Sequence, residues 1–143
     1  MSMTCAARRR CMAALAALFV LAVSVPGRAD DVADFHAAVK QASEQYRIAL
    51  ETLETQGQAE TAAAVQRFRA SWHAISDQFG KDRPAPFKGD EQYGTMFMLV
   101  DTRVIGVLLA IDLGNRDAAR SGLAPIQETL ADLSARSAPP QQQ

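Results

Sequence analysis

The stretch Thr95-Met96-Phe97-Met98-Leu99-Val100-Asp101-Thr102-Arg103-Val104-Ile105-Gly106-Val107-Leu108-Leu109-Ala110-Ile111 decides how this chain folds. It approaches the ~20 apolar residues a helix needs to cross a bilayer. Asp101 and Arg103 stand near its middle, where each charge costs ~3 kcal/mol on insertion scales. A packed helix of a water-facing domain is the better reading. Tyr93, Phe97, Val100, Val104, Val107, Leu108 and Ile111 recur at three- and four-residue steps and make one apolar stripe. Met96, Met98, Leu99, Ile105 and Leu109 widen it, so a helix over 91–113 is expected to be buried on more than one side.

The same period runs through the flanking sequence. Val32, Phe35, Val39, Ala42, Tyr46, Ala49, Leu50 and Leu53 predict a helix over 31–55, opened by Asp30 and Asp31 and stopped at Gly57 in a left-handed turn. Ala62, Val65, Phe68, Trp72, Ile75 and Phe79 predict a second over 58–79, with Trp72 in the core. Residues 80–90 hold two prolines and two glycines and read as the one substantial loop. After a turn at Gly114-Asn115, a last helix starts at Asp117 and carries Ala119, Leu123, Ile126, Leu130 and Leu133. Pro125 is expected to kink it or to mark a restart. No segment alternates with period two. Four helices of similar length with short turns predict an all-α, up-down-up-down four-helix bundle over residues 30–136, with a disordered tail at 137–143.

Ahead of the bundle, Arg8-Arg9-Arg10 precede an apolar run from Cys11 to Val25, and Gly27-Arg28-Ala29 offers small residues for a signal peptidase. Residues 1–29 are therefore expected to be a cleaved secretory signal, which makes the protein periplasmic or secreted and leaves no membrane span after cleavage. The full chain has 15 basic and 16 acidic residues. Losing Arg8, Arg9, Arg10 and Arg28 leaves an acidic protein, which argues against binding nucleic acid or an anionic membrane surface. Both cysteines, Cys5 and Cys11, lie within the leader, so the mature chain has no disulfide, thiolate ligand or cysteine nucleophile.

The hairpin from Met98-Leu99-Val100 through Gly114-Asn115-Arg116-Asp117-Ala118-Ala119-Arg120 to Leu130-Ala131-Asp132-Leu133, with the export signal and the helix order, resembles the periplasmic cytochrome b562 and cytochrome c-prime bundles. That resemblance implies an exported four-helix bundle. In the b562 type it also implies haem held by a ligand early in the first helix and a histidine late in the fourth. His36 lies near the first position, the fourth segment has no histidine, and the Cys-x-x-Cys-His attachment motif is absent.

The remaining soft-metal candidates are His36, His73, Met96 and Met98. Turning the first hairpin at Gly57 sets residue i level with residue 114 − i, which puts His36, Met96 and Met98 at similar heights and His73 about five residues further along. Copper(I), or haem b, is the cofactor such a His/Met set would take. Against this, both histidines sit at the rim of the core and methionine is a common packing residue. Asp101 and Arg103 cannot pair with one another at this spacing and are expected to pair with other helices, Arg103 with Glu128 or Asp132.

No nucleophile elbow, zinc-protease motif or phosphate loop occurs, so an enzyme is the least supported class. The leading expectation is a binding or accessory protein that acts by protein–protein contact. Met98, Leu99, Ile105 and Leu109 are its interface, and a homodimer or a periplasmic protein is its partner. The alternative is a cytochrome-like bundle that binds copper or haem b.

Overall fold

The computed structural model describes residues 28–140. The proposed signal sequence falls almost wholly outside them. Four helices account for most of the described chain: α1 (Arg28–Thr55), α2 (Gln58–Phe79), α3 (Tyr93–Asp112) and α4 (Arg116–Ser137). A short 3-10 turn, Ala85–Phe87, lies between α2 and α3. Around the bundle α1 packs on α2, α2 on α3, α3 on α4 and α4 on α1, so α1 and α3 face each other across the diagonal. This is the expected all-α four-helix bundle.

The apolar stripes meet as their periods require. Phe35 lies edge-on to Phe79 at 5.2 Å, and Tyr46 lies edge-on to Phe68 at 5.7 Å. Both pairs obey the register expected from the first hairpin. Gly57, however, is extended (φ −79°, ψ 178°) rather than left-handed. Its carbonyl accepts from the Thr61 hydroxyl at 2.7 Å, and the chain enters α2 directly from it. Gly114 is the left-handed residue (φ +70°), in the turn where Asn115 caps α4 by accepting from the Ala118 N–H at 3.0 Å.

Aromatic rings close the end where the 80–90 loop lies. Phe87 folds in from the 3-10 turn, fully buried, and packs against Phe35 and Tyr93 at 5.2 Å each. Tyr93 donates its buried hydroxyl to the Phe79 carbonyl at 3.1 Å, and burial pushes its phenol up to about 12. Trp72, without solvent exposure, donates its indole N–H to the Phe97 carbonyl at 3.2 Å.

Three expectations are corrected at α4. The helix runs unbroken through Pro125, with no restart. Leu123 and Ile126 on either side are fully buried and anchor both halves, and the Tyr46 hydroxyl donates to the Leu123 carbonyl at 3.0 Å. Ser137, assigned to the tail by sequence, is the last helical residue and is buried. Its hydroxyl donates to the Leu133 carbonyl at 2.7 Å and meets His36 Nδ1 at 3.0 Å, which ties the helix end to α1. Arg103 has no ion-pair partner among the described residues, and Asp132 pairs instead with Arg136 on its own helix.

Candidate functional site

α3 is apolar on two opposite faces. Tyr93, Phe97, Val100, Val104, Val107 and Ile111 are buried against the other helices. The helix is not buried on a second side, contrary to the sequence expectation. At 100° per residue, Met98, Thr102, Ile105 and Leu109 lie nearly opposite that stripe and face water. Met98 is 63% exposed, Leu99 51%, Ile105 51%, Leu109 59% and Leu113 73%. These are all the exposed large hydrophobic side chains among the described residues. Asp101, Arg103 and Asp112 lie off the centre line of this face. The outer faces of α1 and α4 differ, carrying ion pairs such as Glu44–Arg47–Glu51 and Asp117–Arg120.

The four interface residues expected from the sequence thus share one exposed surface. Leu113 was missed, although it continues the stripe one turn beyond Leu109. Thr102 and Gly106 complete the surface with small groups, and a Cβ added at Gly106 would meet nothing within 4 Å. The 80–90 loop does not cover this face, because Phe87 is used to close the end of the bundle. Length and composition alone would let α3 cross a membrane, but its inner face is part of the shared core.

A polar cluster borders the face on the α2 side. Asp101 Oδ1 accepts from Arg69 Nε at 2.8 Å and lies 2.7 Å from His73 Nε2, while Oδ2 accepts from Arg69 Nη2 at 3.2 Å. The Arg69 guanidinium, with His73 beside it, holds the Asp101 carboxyl down to about 2 despite partial burial. Sequence periodicity exposed Asp101 as anomalous but not its partners, since cross-helix pairing depends on how the helices rotate against each other.

The four soft-metal candidates do not converge. His36 lies on α1 beside Ser137, and His73 bonds to Asp101 on the α2–α3 edge. Met98 lines the same α2–α3 groove as His73, whereas Met96 lines the α3–α4 groove with Pro125 and Thr129. Similar height along the bundle does not bring α1 and α3 together, because they stand on opposite corners. Among the described residues no three His, Cys, Asp or Glu side chains group to hold a metal. The end of the bundle nearest His36 is filled by Phe35, Phe79, Phe87 and Tyr93.

Among the described residues one serine–histidine contact occurs, between Ser137 and His36. Ser137 Oγ donates to the Leu133 carbonyl at 2.7 Å and lies 3.0 Å from His36 Nδ1. Comparison with known protein families, with curated proteins and with solved structures finds no match to this chain.

Proposed function

We propose that this chain is an exported, periplasmic helical-bundle binding or accessory protein that acts by protein–protein contact through the outward face of α3. The observation that carries the reading is the confinement of every exposed large hydrophobic side chain among the described residues to α3 and its C-terminal cap. A contiguous apolar patch of a few hundred Å² on a water-facing protein marks a contact surface. Its position opposite a complete core stripe supports a role outside folding, since the monomer core closes without these residues.

The signature of such a surface is a split between stability and association. The double variant Ile105→Gln, Leu109→Gln is expected to melt as the wild type does. In cell extract, the wild type is expected to elute in size-exclusion chromatography as a complex larger than the monomer, which the variant loses. Identical elution of the two at monomer size ends this reading. Fractionation tests the compartment, with the intact mass of the exported protein expected to begin at Asp30.

A further inference from the structure

We propose that the partner of the α3 face is a second copy of this chain, the two α3 helices packing side by side in the same direction about a two-fold axis parallel to the bundle. This rests on the reading of the α3 face as a contact surface and adds the identity and orientation of its occupant.

On α3 itself the two edges of the face carry opposite charge, with Arg69 of α2 paired to Asp101 on one side and Glu128 of α4 in the groove beside Arg103 on the other. Asp101 and Asp112 lie on the edge toward α2, as the bonds from Arg69 and His73 to Asp101 fix. Arg103 lies on the edge toward α4, in the groove with Pro125, Glu128 and Thr129. The centre, Met98, Thr102, Ile105 and Leu109, is uncharged. A two-fold axis along the helices exchanges left and right edges at unchanged height. It brings Arg103 of each copy toward Asp101 of the other, ~3 Å apart along the axis at 1.5 Å per residue. A two-fold axis across the helices keeps each edge against its own kind, so the Asp101–Asp112 edge meets its equal and Arg103 stands near Arg103. Like charges at an interface are unfavourable, so the α3 charges favour the same-direction arrangement. Arg103 is free to take this role, having no ion pair among the described residues. Asp101 Oδ2 accepts a single bond from Arg69 and keeps room for another donor.

The area is consistent with a reversible pair. From Met98 to Leu113 the face is ~22 Å long. Two such helix faces cover roughly 1,000 Å² in total, at the lower edge of specific interfaces. Thr102 and Gly106 on the face let the two backbones come close. A self-complementary patch of this kind is what a two-fold homodimer requires.

Sedimentation equilibrium at micromolar concentration, with disulfide trapping, tests the proposal. The full-length chain carrying Cys5→Ser and Cys11→Ser receives a single cysteine at Met98, Ile105 or Leu109. In the same-direction pair each residue meets its own copy, so Met98→Cys and Leu109→Cys each form a cross-linked dimer. Without added cysteines, the protein is expected to dimerise reversibly. Ile105→Glu is expected to be monomeric, and Arg103→Glu to weaken the dimer about tenfold by facing Asp101 with a like charge. Unchanged association of Arg103→Glu, with cross-linking at Ile105→Cys alone, overturns the proposed orientation. A monomer at every concentration with no cross-link overturns self-pairing. In that event a larger wild-type complex in cell extract, absent for Ile105→Glu, preserves the contact surface for a different partner, and monomer elution of both removes the surface as well.

Discussion

The Arg136 guanidinium lies 4.3 Å above the centre of the Phe87 ring. The same side chain donates to Asp90 Oδ2 at 2.8 Å and to the Pro86 carbonyl at 3.2 Å. One residue of the last helical turn thus presses the 80–90 loop onto the end of the bundle, with Phe87 beneath it as the plug.

Removing the plug is expected to cost far more than releasing the clamp. Phe87→Ala should lose ~3–5 kcal/mol, as for other buried aromatic truncations. Arg136→Gln should lose only about 1 kcal/mol, the value of a partly exposed cation–π contact with its ion pair. Urea melts of the two variants check the order, and equal losses would mean that the clamp holds the plug in place.

Trp72 separates packing from hydrogen bonding. Trp72→Ala is expected to destabilise by ~3–5 kcal/mol. Trp72→Phe keeps most of the volume but loses the bond to the Phe97 carbonyl, for a loss of about 1–2 kcal/mol. A loss below about 1 kcal/mol for the alanine variant would contradict the buried position assigned to this side chain.

Gly122 of α4 packs tightly against Val107 of α3. A Cβ there would stand 2.7 Å from Val107 Cγ2. Glycine to alanine inside a helix ordinarily gains up to ~1 kcal/mol of propensity. Here overpacking should reverse the sign, so Gly122→Ala is expected to destabilise by about 1–2 kcal/mol. In a Val107→Ala background the same change should become neutral or stabilising, and a double-mutant cycle by thermal melts reads this coupling.

The Asp101 cluster predicts a specific acid response. Its folded carboxyl lies at about 2, below the ordinary 3.8, because Arg69 and then His73 hold the charged form. The unfolded chain therefore binds this proton more readily. The contribution is complete above the ordinary value and is lost as pH falls through about 2. Asp101→Asn is expected to lose about 1 kcal/mol at neutral pH and progressively less against wild type as pH approaches the folded value. A gap between the two proteins that stays constant down to that pH would rule out the pairing as its source.

The excess of apolar residues on α3 was legible because a helix in a four-helix bundle needs only one apolar stripe. Met98, Leu99, Ile105 and Leu109 exceed that need, and counting at 100° per residue places them away from the core. The metal set was not legible as a set. His36, Met96 and Met98 share a height that one-dimensional register can estimate, but His36 is on the α1 corner while Met96 and Met98 point to opposite sides of α3.

Apolar spacing along the chain determined the four helices, their order, the first-hairpin register and the burial of Phe35, Tyr46, Phe68 and Trp72, because helical period and short connections are local properties. Tertiary packing alone decided that Arg69 and His73 converge on Asp101, that Ser137 ends a helix against His36, and that Phe87 closes the end of the bundle. Each of these depends on the rotation of one helix against another, which is set when all the stripes are buried together.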